Sequence, residues 1–266
     1  MQTHRPAAPD NQRMNLLAFD TSTDTMSIAV SRGMGEAMQV WQHTGAGGAL
    51  ASSTLIPAIQ QLMQQADLHF EQLDAIAFGR GPGSFTGLRT ACSVAQGLAF
   101  GAGVPVLPVD TLLAVAEEAR YQQNVEQALV QGGKVAPAHL HVLAQLDARM
   151  EEIYAGHYEY DSGLWTKHEG YSLISPENLT KSLLDRMVPS DDWLLAGNAF
   201  AVYADRLEFG QGQQVHALPT AAAMLRLAPA LLADGQAVMP EQALPTYIRD
   251  KVAKTTQERL AEKVAT

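Results

Sequence analysis

Asn15 to Phe19 is an apolar run that ends at Asp20, and Met26, Ile28 and Val30 then alternate with Ser27 and Ala29. This is the period-two pattern of strands joined by a tight turn. A third strand is expected at Glu36 to Trp41, completing an antiparallel meander. Gly45 to Gly48 breaks the chain. Leu55, Ile56, Ile59, Leu62, Met63 and Ala66 then follow helical spacing, with Ser52 or Ser53 as cap and Pro57 in the first turn. A strand at Asp74 to Phe78, a glycine loop, a helix at Phe85 to Ala102 and a strand at Pro105 to Val109 complete the first half.

The second half opens with a helix near Thr111 and passes a polar insertion around Gly132 and Gly133 to a long strand, His139 to Leu146. Here the pattern repeats. Leu146-Asp147-Ala148-Arg149 turns into an alternating Ile153 to Tyr158, just as Asp20-Thr21-Ser22-Thr23 turns into Met26 to Val30. A duplicated strand, Asp turn, strand unit is what two copies of one α/β lobe leave in a sequence. A helix from Ser175-Pro176-Glu177 to about Met187, a strand at Trp193 to Ala196 ended by Gly197-Asn198, and a helix at Pro219 to Ala233 follow. The organisation predicts a disordered extension at 1–13, a first lobe at 14–110, a second lobe at 111–254 whose last helices are free to return to the first, and a polar tail at 255–266.

A chain of 266 residues accommodates two lobes of about 100 to 130 residues. With 47% hydrophobic and 17% charged residues it can build a sizeable core. The formal net charge of -10, with no run of Lys or Arg, lacks the footprint that binding a phosphate backbone requires. Any role on nucleic acid therefore calls for a basic partner. The single cysteine, Cys92, excludes an internal disulfide and reads as a buried thiol in a reducing cytoplasm. The amino terminus has no apolar core of a signal peptide, and no stretch of roughly 18 apolar residues could span a bilayer. The expected location is cytoplasmic.

Asp20-Thr21-Ser22-Thr23 places a carboxylate and three hydroxyls on one turn, where they could meet a phosphate or a hydrated cation. The same residues are good turn formers that satisfy their own backbone. Asp147 is the paired candidate across an interlobe cleft, and Arg149 either binds an anion or pairs with Glu151 or Glu152. The glycine loop of Gly79 to Gly87 fits neither G-x-G-x-x-G nor G-x-x-x-x-G-K-[ST]. Within it Gly81 and Gly83 flank Pro82, and Ser84 stands where a helix cap belongs. Free N–H groups there would attract an anion, unless the loop merely reverses the chain. The following helix carries Ala91, Ala95, Ala99 and Ala102 on one stripe beside Gly87, Cys92 and Leu98, suited either to the core or to a partner helix. The eight histidines form no H-x-x-x-H or H-E-x-x-H pair, and no G-x-S-x-G elbow is present.

Taken together, "LLAFDTSTDTMSIAV", "AFGRGPGSFTGLRTACSVAQGLAFGAGVPVLPVDTL", "LAQLDARMEEIYAGHY" and "LPTYIRDKVAKT" closely resemble the bacterial TsaB (YeaZ) family, paralogues of the TsaD-type threonylcarbamoyl transferases. The resemblance implies an actin/Hsp70-like (ASKHA) α/β fold of two RNase H-like lobes, mixed sheets flanked by helices. It implies a non-catalytic subunit in making N6-threonylcarbamoyladenosine beside the anticodon of tRNAs that read codons beginning with A. TsaD would be its dimer partner, a second copy would replace TsaD when that is missing, and the ATPase TsaE would join the pair. No cofactor is expected on this chain alone, ATP and Mg entering through the complex with TsaE, and tRNA would be reached only through the complex. The partner interface expected is Leu55, Ile59, Leu62 and Met63 with Gly81, Pro82, Gly83, Phe85, Thr86, Leu88, Arg89, Cys92, Ala95 and Ala99. TsaD carries an H-x-x-x-H metal pair on the helix after the strand matching Pro105 to Val109, whereas here that segment reads Asp110-Thr111-Leu112-Leu113-Ala114-Val115. A departure from the family is GAGGALASS, which separates His43-Thr44 from Pro57 and leaves His43 without an assigned role. The alternative is an ATP/Mg-dependent enzyme using Asp20, Thr21, Ser22, Asp147 and Arg149. A glycoprotease-like peptidase ranks below it.

Overall fold

The structure, a computed structural model, describes residues 14–33, 35–131, 139–179, 181, 193–207 and 213–249. The expected extension at 1–13, the Gly132–Gly133 insertion, most of the helix to Met187 and the tail at 255–266 lie outside these residues.

Strands β1 (Leu16–Asp20), β2 (Thr25–Arg32) and β3 (Gln39–Ala46) form the meander. The third starts later and runs further than its sequence suggests, because Gly35–Ala37 is a 3-10 turn. Helix α1 (Ala51–Gln65), β4 (Ala75–Gly81), α2 (Phe85–Ala102) and β5 (Val106–Asp110) follow, and the sheet order is β3-β2-β1-β4-β5. Strands β6 (His139–Asp147), β7 (Ile153–Asp161), β8 (Leu164–Ile174), β9 (Trp193–Gly197) and β10 (Gln213–His216) make the second sheet in the order β10-β9-β6-β7-β8. Read from its third strand, the second sheet repeats the first, 3-2-1-4-5. In each sheet the first three strands are antiparallel and the last two join in parallel. β8 and β10 were not apparent in the sequence, since WTKHEGYSLI and QQVH mix charged and polar residues without clean alternation.

α1 begins one turn earlier than its apolar spacing indicates. Leu50 occupies the cap position without a side-chain bond, and Ser52 and Ser53 donate their hydroxyls back to the carbonyls of Ala49 and Leu50. Pro57 therefore sits inside the helix, where its ring removes one backbone donor. Leu55, Ile59, Leu62 and Met63 recur at i, i+4, i+7 and i+8 and pack with Leu17, Phe19, Ile28 and Ile76 of the first sheet. Burial of each such side chain stabilises by about 1.5–3 kcal/mol.

α3 (Thr111–Gln131) joins the two sheets. Its Ala114 lies in the core under the first sheet, while Leu112, Val115, Ala116 and Ala119 pack under the second. Asp110 starts this helix by accepting the N–H groups of Leu112 and Leu113 at 3.0 and 3.4 Å on Oδ1, and its Oδ2 accepts the Tyr158 hydroxyl at 2.8 Å. The last helix, α4 (Ala221–Ala233), packs through Met224, Leu225 and Leu227 against the first sheet rather than the second. Thr220 caps it by accepting the N–H of Ala223 at 3.1 Å. Among the described residues no helix is long and apolar enough to cross a membrane.

Candidate functional site

Equivalent turns of the two lobes meet at a cleft. The first follows β1, where the sequence Asp20-Thr21-Ser22 is folded back against the start of α2. Thr21 donates its hydroxyl to the carbonyl of Gly87 at 2.7 Å, and Ser84 donates its N–H to the carbonyl of Ser22 at 2.8 Å. A Cβ at Gly87 would lie 1.8 Å from the Thr21 carbonyl oxygen, and one at Gly83 would lie 2.6 Å from the Ser22 Cβ. Gly83 and Gly87 of GRGPGSFTG thus let this loop and the start of α2 lie directly against the β1–β2 turn. Ser84 holds the N-cap position of α2, as its place in the sequence indicates, though its side chain makes no cap bond.

Asp20, Thr21 and Ser22 are sealed in this contact, at 0%, 0% and 3% exposure. Oδ1 of Asp20 accepts the N–H of Ser22 at 2.8 Å and its hydroxyl at 2.6 Å, while Oδ2 is buried without a partner. That free oxygen faces Gly79, where a Cβ would come within 1.8 Å, rather than the cleft. Burial pushes the carboxyl up to about 6 against the two bonds from Ser22. Of the expected phosphate-turn residues, Asp20 and Thr21 are fully buried and Ser22 borders the cavity at 3% exposure, with both hydroxyls donated within the fold, to the Gly87 carbonyl and to Asp20.

The second turn does reach the cleft. Asp147, at the end of β6, accepts the Arg149 N–H at 2.9 Å and the Tyr203 hydroxyl at 2.8 Å on Oδ1, and its own N–H donates to Asn198 Oδ1 at 2.9 Å. Burial and the bond to Asp147 push the Tyr203 phenol up to about 12, so it remains a donor. Arg149 pairs with Asp147 at 3.3 Å and, across the lobes, with Asp24. Its expected partners Glu151 and Glu152 are taken instead by Arg206 and Arg249. The sequence offered no signal for Asn198 or Tyr203, which come from the far end of β9 and the helical turn after it.

The cavity between the lobes measures about 360 Å³ and is lined among others by Ser84, Phe85, Asp147, Arg149, Tyr247 and Arg249. Among the described residues no His, Cys or Lys lines it, so Ser84 has no imidazole to activate it and the peptidase reading has no support in the geometry. The residues that reach the cavity could meet an anion through Arg149 or Arg249, but both guanidinium groups already face carboxylates.

The expected partner interface is divided by burial. Leu55, Ile59, Leu62, Met63, Gly81, Pro82, Leu88, Cys92, Ala95 and Ala99 are buried in this chain's own core or loop packing. The α1 side chains, with Cys92, Ala95 and Ala99, pack in the first-lobe core, the small-residue stripe letting α2 lie close on its own sheet, so the faces of α1 and α2 left open are the outward ones. Gly83 and Phe85 are half-buried, and Thr86 and Arg89 are exposed. The outward face of α2 comprises Arg89, Ser93, Gly97, Phe100 and Gly101, with Phe100 80% exposed. His43 lies on the exposed edge strand β3, away from the cleft.

Two lobes of the same 3-2-1-4-5 topology, facing each other across turns that carry equivalent aspartates, define an α/β protein of the actin-like (ASKHA) class. A model of the family described as TsaD, tRNA N6-adenosine threonylcarbamoyltransferase, matches residues 49–266. The chain is 31% identical over 250 residues to the tRNA threonylcarbamoyladenosine biosynthesis protein TsaB of Escherichia coli, covering 90% of this chain and 96% of that protein. It is 32% identical over 253 residues to the TsaB of Haemophilus influenzae, covering 91% and 96%. A solved structure of YeaZ from Pseudomonas aeruginosa superposes with a TM-score of 0.70 at 34% identity, covering 88% of this chain and all of that one (100%). The chain belongs to the TsaB (YeaZ) family.

Proposed function

We propose that this chain takes part in tRNA threonylcarbamoyladenosine biosynthesis as a non-catalytic subunit that pairs with a TsaD-type transferase through the outward faces of α1 and α2. Its relatives are named for that biosynthesis. The observation that carries the reading is the division of α2: its inner face is closed on its own sheet, while Phe100 stands exposed beside Gly97 and Gly101, both with open space around the Cβ position. Ile56, on α1, is likewise 42% exposed. Large apolar side chains left open on helix faces fit surfaces that another protein covers. A second copy of the chain would use the same face when TsaD is missing, and TsaE, with ATP and Mg, would join the pair. The net charge of -10 favours contact with tRNA through the complex rather than by this chain alone.

The test is the mass in solution of the chain mixed with its own TsaD, for the wild type and for Gly97→Arg. A mixed dimer in the wild type that is lost in a folded Gly97→Arg supports the reading. Normal pairing by that variant, or no pairing by the wild type, overturns it.

A further inference from the structure

The segment Ala243–Arg249 crosses from one lobe to the other. Its start lies along α2, where the Ala243 carbonyl accepts Gln96 Nε2 at 2.9 Å and the buried Cys92 thiol at 3.4 Å. Thr246 donates its N–H to the Arg80 carbonyl at 2.7 Å. The Thr246 carbonyl oxygen sits so close to the glycine loop that a Cβ at Gly81 would come within 2.6 Å, and Gly81 has a φ of 114° besides. Only glycine serves there. Tyr247 then rests its ring on Phe85 with centroids 5.2 Å apart and accepts Arg89 Nε at 3.2 Å.

Two residues later the strap holds the second lobe. Arg249 Nη2 donates to the carbonyls of Ala148 and Arg149 at 3.2 and 3.3 Å and meets Glu152 Oε2 at 2.5 Å. The turn it grips is strained. Arg149, Met150 and Glu151 have φ values of 61°, 54° and 60°, a left-handed conformation that costs each residue free energy and persists only where neighbours impose it. The turn also closes on itself, Ala148 donating its N–H to the Glu152 carbonyl at 2.9 Å and Glu152 its N–H to the Arg149 carbonyl at 3.1 Å. Arg249 is the contact that ties it to the strap, so a change in that grip can shift the strained turn.

We propose that this strap links the outward face of α2 to the 147–152 turn, so that a partner engaging Arg89 alters the turn that carries Asp147 and Arg149. Arg89 lies exposed on that face, its guanidinium 3.9 Å from the Phe85 ring centre. A carboxylate offers it a stronger, charge-assisted bond than the Tyr247 hydroxyl does. The partner surface that works the link therefore presents an acidic side chain next to apolar ones. The identity of the partner as TsaD rests on the reading above; the link through the strap does not.

Amide hydrogen exchange on the full chain tests it, read at the Arg149 N–H, which donates to Asp147, and the Glu152 N–H, which donates to the Arg149 carbonyl. In the free chain, Arg89→Ala and Tyr247→Phe, the latter removing only a hydroxyl, should each speed exchange at both amides by about fivefold or more. The midpoint of global unfolding should be unchanged. Faster exchange confined to 246–248 overturns the link. With TsaD added, exchange at the same amides should shift in the wild type and not in Tyr247→Phe. An equal response in both, or none in either despite pairing, also overturns the link while leaving the pairing intact. A chain that fails to pair overturns the pairing instead, and the free-chain comparison still decides the link.

Discussion

Asp20 Oδ1 accepts the backbone N–H of Ser22 at 2.8 Å and Asp147 Oδ1 accepts that of Arg149 at 2.9 Å, so the two carboxylates close the same two-residue turn at the ends of equivalent strands. Their surroundings set them apart. Asp147 is answered by Arg149 and Tyr203 at the cleft, whereas Asp20 is fully buried with one oxygen unpartnered. Both turns border the cavity, but the second presents its Asp147 there, whereas the first buries Asp20 and fastens α2 to its own sheet.

That difference predicts an unusual pH dependence. Burial raises the Asp20 carboxyl from 3.8 to about 6, so between these values the folded chain holds a proton that the unfolded chain has released. Stability from this group is complete below the unfolded value and falls as pH rises through 6, the reverse of a salt-bridged aspartate. Asp20→Asn keeps an acceptor for Ser22 and removes the titration. Urea unfolding at pH 4 and pH 7.5 should show the stability difference, variant minus wild type, growing by about 2 kcal/mol toward the higher pH. A difference that stays flat with pH would mean that Asp20 is not held protonated.

The same sealing bears on nucleotide. With the Thr21 and Ser22 hydroxyls bonded to Gly87 and Asp20, neither is available to a phosphate. Titration of Mg-ATP into the isolated chain should give no saturable heat at millimolar ligand, and Asp20→Ala should leave the trace unchanged. Saturable binding lost in that variant would restore the enzymatic alternative.

Much of this was legible in the sequence. The bounds of α2, Phe85 to Ala102, match their sequence reading, because small and apolar residues recur with helical spacing between a glycine loop and Gly103. The duplicated Asp turn pointed to two lobes, and the sheets repeat one order. Which side of α2 faces outward was not legible, since alanines suit a sheet and a partner helix alike. Nor was the sealing of Asp20-Thr21-Ser22, which depends on Gly87, 66 residues beyond Thr21. Strand pairing also gathers His139, His141, His157 and His168 on one face of the second sheet, with His141 Nδ1 and His157 Nε2 3.1 Å apart, where the sequence shows only an H-x-H.

Two glycines of α2 should respond oppositely to alanine. At Gly87 the added methyl would meet the Thr21 carbonyl at 1.8 Å, forcing α2 away from the β1–β2 turn. Gly87→Ala should cost about 3 kcal/mol or more, at the upper end for a clash in a packed interior. At Gly97 nothing lies within 4 Å, so Gly97→Ala should stabilise the helix by up to about 1 kcal/mol. Thermal unfolding of both variants checks the contrast; equal shifts would mean that the turn and helix are not in the contact described.

Two ion pairs that bridge distant segments should differ most of all. Glu117, its side chain 3% exposed, accepts Arg226 Nε at 2.8 Å and Arg120 Nη2 at 2.9 Å on Oε1, and Arg120 Nε at 2.8 Å and Trp165 Nε1 at 3.1 Å on Oε2. It thereby ties α3 to α4 and β8. Glu117→Gln keeps the shape but turns an amide NH₂ toward guanidinium donors and leaves Arg120 without its carboxylate in a mostly buried site, Arg226 keeping Glu118 at 2.7 Å, which should cost about 3 kcal/mol. The loss should persist in 1 M salt, because few ions enter the site to screen it. Arg149 and Asp24 are 67% and 81% exposed, and the pair looks like a latch between lobes. Solvent already screens them, so Asp24→Asn should cost less than about 1 kcal/mol and nothing measurable in 1 M salt. Were Asp24→Asn the more damaging change, the lobes would be held by the rim of the cleft rather than by the buried carboxylate behind it.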